Sequence, residues 1–240
     1  LIHGQGPLTQ ANGFASQADV LIETRRAADL LGATPMDRPE DVEPDPATGR
    51  VYLMLTNNTE RTVEQVDAAN PRPHNANGHI VEILEPDGDF ASEASRWEIL
   101  VRCGDPSDRI QGAMWNPLIS ENGWFGSPDN CAVDPSGGLW VATDGNEKTG
   151  ASDGVWSVGV TGEDRGLSRA FFRAPEGAEV CGPKFAPDGE TFFVAVQHPG
   201  DGRGASFEYP TTRWPDFDPE VPARSAVIAI RKEGGGVIGS

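Results

Sequence analysis

The chain has 240 residues and a formal net charge of −18, with 29 Gly and 20 Pro against a hydrophobic content of 37%. That charge argues against nucleic-acid and anionic-membrane partners, and no stretch of sequence approaches the length of a membrane-spanning helix. Cys103, Cys131 and Cys181 are an odd set without CxxC spacing, which indicates neither a zinc ribbon nor a closed disulfide framework.

Near the start, Ser16 with Asp19 three residues on forms a short capping signal. Val20, Leu21, Ala27, Leu30 and Leu31 then recur at helical spacing before Gly32. A single helix over about 16–31 is expected, inserted on the outside of a sheet.

From Arg38 onward one pattern is stated three times, over Arg38–Asp45, Cys181–Asp188 and, between them, Ser127–Asp134. Each copy ends in an Asp-Pro or Asp-Gly turn and leads into an apolar strand: Val51–Thr56, Leu139–Asp144 and Phe192–Gln197. Further short strands are expected at His79–Leu84, Trp97–Arg102, Val155–Val160, Ser168–Arg173 and Ser225–Lys232. A meander of up to four strands per unit is the composition of a propeller blade. The fold class is therefore all-β, an incomplete β-propeller of about three four-stranded blades with a helical insertion, residues 1–240 forming part of one propeller domain. A β-sandwich is the alternative. Pro-, Asn- and Gly-rich loops at 57–77 and 104–126 account for the uneven spacing of the repeats. Three blades do not close a ring, and the chain starts at Leu1, so the expectation is the C-terminal part of a longer protein whose missing blades lie upstream.

Aligned on the turn aspartates, the position five residues earlier holds Glu40, Asp129 and Pro183. In a radially repeated fold equivalent positions converge, and converging carboxylates call for a hard cation such as calcium or, failing that, cap turns. Glu43 stands where the other repeats have Ala132 and Ala186, and Glu179 lies just upstream of the third repeat. Arg38, two residues before Glu40, either offers a planar fork to an anionic substrate or forms an ion pair with Glu40. Asn57, Asn58, Asp144 and His198 follow the apolar strands and are expected at the opposite rim, as polar contacts or as loop hydrogen-bonding groups. Cys131 aligns with Val42 and Phe185, a core position. No Walker loop, HExxH, dinucleotide fingerprint or Ser-His-Asp order is present.

The runs Met36–Glu43, Leu55–Asn58, Asn70–Arg72, Gly78–Ile80, Pro128–Asn130, Trp140–Gly145, Gly182–Gly189 and Gln197–Gly200, in this order, resemble the PhoX-type alkaline phosphatases. The resemblance implies a secreted bacterial propeller phosphomonoesterase, periplasmic or extracellular, with iron and calcium at its axis and small-molecule phosphate monoesters as substrates. It implies Arg38 as the phosphate-binding arginine, Glu40 as a metal ligand and Asp129 as a calcium ligand, with Glu43 and Glu179 as further carry-overs. The iron-ligating cysteine of the family matches none of the three here. A calcium-dependent propeller hydrolase such as a lactonase, or a binding propeller without catalysis, are the competing functions.

Overall fold

The structure is a computed structural model describing residues 1–85, 89 and 91–240. It divides into two compact units, Leu1–Met36 and Asp37–Ser240.

In the first unit the expected helix is two helices, α1 (Gln17–Ile22) and α2 (Thr24–Leu30). Ser16 caps α1, its hydroxyl accepting from the Asp19 N–H at 3.4 Å, while the Asp19 carboxylate accepts from the Ala15 N–H at 2.9 Å. The break falls at Glu23, which leaves helical geometry (φ −99°, ψ 39°). The change of direction also splits the apolar stripe. Val20 and Ala27 pack with Leu8 and Phe14, whereas Leu21, Leu30 and Leu31 are exposed.

Among the described residues the second unit contains three antiparallel sheets. β1 (Pro39–Asp45), β2 (Arg50–Leu55), β3 (His79–Leu84) and β4 (Arg96–Arg102) form the first in sequential order. β5 (Pro128–Val133), β6 (Leu139–Thr143), β7 (Gly154–Val158) and β8 (Ser168–Arg173) form the second. The third has three strands among the described residues rather than four: β9 (Glu179–Phe185), β10 (Thr191–Gln197) and β11 (Ala226–Arg231). These are the blades of a propeller, not closed into a ring.

Alternation along the strands explains why the blades stack. On β6, Leu139 and Val141 join a core with Tyr52, Met54, Ile80 and Trp156. Their neighbours Trp140 and Ala142 point the other way, into a second core with Val180, Phe192, Val194 and Val196. The middle sheet is thus buried on both faces, which is why its strand reads as a continuous apolar run. Val42 departs from the expectation: it is 56% exposed, while its repeat equivalent Cys131 is buried. Cys131 has a blade on each side; Val42 lies on the outermost sheet.

The repeated aspartates serve the turns. Asp45 accepts from the Ala47 N–H at 2.9 Å and Asp188 from the Glu190 N–H at 3.0 Å; Asp134 accepts from the Ser136 N–H at 2.8 Å and from the Trp140 indole at 2.8 Å. Each converts a side chain into a surrogate backbone acceptor, the Asx-turn chemistry of hairpins.

The long loop of 57–77 is ordered by buried charge. Arg61 meets Asp37 at 2.5 Å with both side chains buried, and the Arg72 guanidinium donates to the carbonyls of Cys103 (2.8 Å), Gln111 (2.9 Å) and Gly78. Gly78 itself has to be glycine: φ is +72°, and a Cβ there would stand 2.2 Å from the Leu55 carbonyl oxygen.

A second repeated device joins successive blades. The Asp41 carboxylate accepts from the Cys131 N–H at 2.8 Å, and its repeat equivalent Asn130 accepts from the Gly182 N–H at 3.0 Å. Asn130→Ala is expected to cost about 1 kcal/mol, the net value of one such bond, as a lower urea midpoint with an unchanged slope.

Candidate active site

The repeat places carboxylates through a defect in the sheet. β1 pairs with β2 from Pro39↔Leu55 to Val42↔Leu53, and β5 with β6 from Pro128↔Thr143 to Cys131↔Val141. In both, an extra residue forms a bulge, and the bulged pairs are Glu40–Asp41 and Asp129–Asn130. A bulge re-aims side chains locally. Here the first residue of each pair carries the rim carboxylate and the second ties to the next blade. In β9 the irregularity falls between Cys181 and Lys184, so Pro183 is no carboxylate equivalent, and Glu179 supplies the charge from the strand's first position.

The register also corrects the expected rim. Antiparallel pairing puts the start of the first strand beside the end of the second: Glu179 pairs with Gln197, and Pro128 with Thr143, the residue before Asp144. Asp144 and His198 therefore stand at the same rim as Arg38, Glu40, Asp129 and Glu179. Three left-handed residues mark the three blades there: Arg38 (φ 50°), Ser127 (φ 55°) and His198 (φ 38°). Such conformations are uncommon outside glycine and cluster at functional sites. The carbonyls of Arg38 and Ser127 accept from the N–H groups of Thr56 (3.1 Å) and Asp144 (3.2 Å), so the same corner is built twice.

Arg38 bridges two blades. Its Nε donates to Glu40 at 2.5 Å and one Nη to Asp144 at 3.2 Å. Its side chain is 47% exposed, leaving the remaining N–H donors of the fork free for a ligand. Burial works against its charge, but Glu40 and Asp144 outweigh that and raise its pKa.

Asp129 is the buried member, 7% exposed. Burial, then Asp144, Glu40 and Glu179, push its pKa up to about 7, with Arg38 opposing. Burial, then Glu179, Asp129 and Asp144, raise the Cys181 thiol, which leaves it a protonated thiol at the edge of the cluster rather than a nucleophile. Glu179 is held at both oxygens: the Gln197 amide donates to one, and His198 Nε2 lies 3.2 Å from the other. His198 Nδ1 is 3.0 Å from the Gly177 carbonyl. Burial works against the charged ring, but Glu179 and this carbonyl raise its pKa.

Glu43 and Asn58 fall outside this group. Glu43 points to Lys184 at 3.5 Å, further along the first strand. Asn57, half-buried, follows Thr56, whose N–H donates to the Arg38 carbonyl, so it too stands at this rim and not opposite, while Asn58 serves its own loop by accepting from the Glu60 N–H at 3.1 Å. Gln197 went unremarked in the sequence as a partner of Glu179; its signal was its place in the repeat, aligned with Thr56 and Asp144.

The donor chemistry of the rim is oxygen-rich. Glu40, Asp129, Asp144 and Glu179 share one arginine and one histidine, which suits a hard cation such as calcium. Among the described residues no three His, Cys, Asp or Glu side chains are already grouped closely enough to enclose an ion. None of this set favours iron over calcium, and the three cysteines are free, Cys103 and Cys131 being buried thiols.

Stacked antiparallel blades with an acidic rim that carries Arg38 define the class as a β-propeller. The chain belongs to the PhoX alkaline phosphatase family, whose profile matches residues 2–200. It is similar to the solved structure of Pseudomonas fluorescens PhoX in complex with vanadate, a transition-state analogue. That match has a TM-score of 0.85 and 36% identity over 100% of this chain and 41% of that one. The chain thus spans about two fifths of the length of that structure. No curated protein gave a significant match.

Proposed function

We propose that this chain carries part of the active centre of a metal-dependent phosphomonoesterase that releases phosphate from small organic monoesters. The observation that carries the reading is Asp129: a nearly buried carboxylate facing three others, its pKa pushed up to about 7, beside an arginine with free donors. A carboxylate cluster short of positive charge is a cation site, and an arginine fork beside it is an anion site. Phosphate needs both.

In this reading Arg38 binds the phosphate oxygens with the N–H groups not used by Glu40 and Asp144, and those two carboxylates hold the guanidinium in place. Glu40, Asp129, Asp144 and Glu179 hold calcium, with Gln197 and His198 fixing the orientation of Glu179. Bound calcium would supply charge neutralisation at the phosphate oxygens. Iron, which the family resemblance implies, has no fitting donor set on this rim, and no step here runs through it. Glu43, engaged by Lys184, is left out of the ligand set. The acidic donor set supports a periplasmic or extracellular setting, where calcium is plentiful enough for low-affinity sites. The three sheets leave the propeller open, and the match covers 41% of the PhoX chain. We therefore assign full turnover to a ring completed by further blades.

The test is hydrolysis of p-nitrophenyl phosphate against an aliphatic lactone by the protein that contains this chain, with and without a calcium chelator. The expected result is phosphate release that the chelator abolishes. Lactone hydrolysis without phosphate release would favour the lactonase reading, which gives Arg38 no role.

A further inference from the structure

The segment 198–225 between β10 and β11 is held by hydrogen bonds within itself and to Glu176. The Thr211 N–H donates to the Gly200 carbonyl at 3.1 Å, and the Gly200 N–H to the Glu176 carbonyl at 2.9 Å. Arg213 donates to the carbonyls of Val221 (3.1 Å) and Glu208 (2.8 Å). Gly200 is pressed so closely that a Cβ would stand 2.6 Å from the Thr212 carbonyl oxygen. The loop bounds a cavity of about 260 Å³ whose lining includes His198, Pro199, Asp201, Phe207, Pro210 and Ala223.

Two features give this cavity a direction and a chemistry. His198 belongs both to its wall and to the rim, since its Nε2 lies 3.2 Å from Glu179. Phe207 is 76% exposed and has no ring partner among the described aromatic pairs. Among the described residues no lysine or arginine lines the cavity, and Asp201 is its carboxylate. A flat uncharged group can stack on Phe207; an anionic group meets Asp201, offset only by His198, whose Nδ1 lies 4.0 Å away and whose ring is already engaged by Glu179 and the Gly177 carbonyl.

We propose that this cavity is the subsite for the alcohol portion of the substrate, taking a compact, uncharged, aromatic or apolar group and selecting against alcohols that carry further negative charge. The inference rests on the phosphatase reading for its catalytic meaning and on the cavity alone for binding. Phe207 is the stacking residue and Asp201 the one that repels anions.

Two measurements test it. In the first, binding of 1-naphthol, the alcohol product without its phosphate, is followed by NMR on this chain. F207A is expected to weaken it at least about fivefold, as for loss of one aromatic contact. Because Phe207 is exposed, that substitution leaves the core untouched. In the second, the ratio of kcat/KM for 1-naphthyl phosphate to that for glycerol 2-phosphate is expected to fall by a similar factor in F207A. D201K is expected to raise the relative rate on fructose 1,6-bisphosphate. Naphthol binding that survives in F207A overturns the subsite whatever hydrolysis shows. Naphthol binding lost in F207A, with no phosphate ester hydrolysed by the intact protein, overturns the phosphatase reading and leaves an aryl-binding cavity.

Discussion

Arg38→Ala is expected to lower kcat/KM for a phosphomonoester by roughly 30- to 1000-fold, or about 2–4 kcal/mol of transition-state stabilisation. The reason is geometric. Two of the five guanidinium N–H donors are used by Glu40 and Asp144, so the others are already oriented when the phosphate arrives. Losing a preorganised donor is costlier than losing one that must be ordered during the reaction. Inhibition by inorganic phosphate should weaken in parallel. Calcium binding should hold or tighten, because the variant removes a positive charge from a carboxylate cluster. Glu40→Gln is expected to do the reverse, lowering bound calcium first, since an amide of the same shape keeps an oxygen but removes the charge. Elemental analysis beside phosphate-inhibition constants separates the two. Loss of calcium in R38A would mean that the arginine holds the rim together, and retained metal and activity in both variants would remove the residue-level basis of the phosphatase reading.

Asp129→Asn is expected to stabilise the protein at pH 8 in the absence of calcium, by up to roughly 4 kcal/mol, and to have little effect at pH 4. The sign follows from proton linkage. Asp129 titrates from an ordinary value of 3.8 to about 7 in the folded protein, so between those pH values the folded state holds a proton that the unfolded chain has lost. Its contribution to stability is complete below about pH 4, declines as pH rises towards 7 and is gone above it. Each pH unit of displacement corresponds to about 1.4 kcal/mol. Asparagine has nothing to ionise and escapes that loss. His198 also contributes in the acid direction, its raised pKa stabilising the fold until pH passes its folded value, but it is common to both proteins, so the difference between them isolates Asp129. Calcium should supply the missing charge and stabilise the wild type above pH 7 while doing much less for D129N. Urea denaturation at pH 4, 5.5 and 8 with and without calcium measures all of this. Parallel pH profiles for the two proteins would show that Asp129 is not held as an uncompensated carboxylate.

The repeated strands and their turns were legible because their causes are local. Asp45, Asp134 and Asp188 act on backbone groups within a few residues of themselves, so the three hairpins are written in the order of the letters. Alternation along β6 likewise follows from the strand's own period, and Glu40 and Asp129 could be aligned because each stands a fixed distance before its turn. Arg38 was paired with Glu40 by the same spacing. The helix near the start was legible only in part: the Ser16 cap is local, but the break at Glu23 and the exposure of Leu21, Leu30 and Leu31 depend on where the chain turns to pack Leu8 and Phe14.

What the sequence by itself determined is therefore the blade, its repeat and the carboxylate it carries at the start of each of the first two units. Tertiary structure decided which of those groups meet. Antiparallel pairing folds the end of each second strand back beside the start of the first, which brought Asp144 and His198 to the rim where Arg38 and Glu179 stand, against the expectation that they would lie opposite. The stacking of blades then set the partners across units: Arg38 reaches Asp144 of the next blade, and Lys184 takes Glu43 away from the cluster. The pKa of Asp129 belongs wholly to that level, because it comes from burial and from charges 15, 50 and 89 positions away in the chain, at Asp144, Glu179 and Glu40. Spacing along one strand carries no information about charges that only the packing of separate sheets brings within reach.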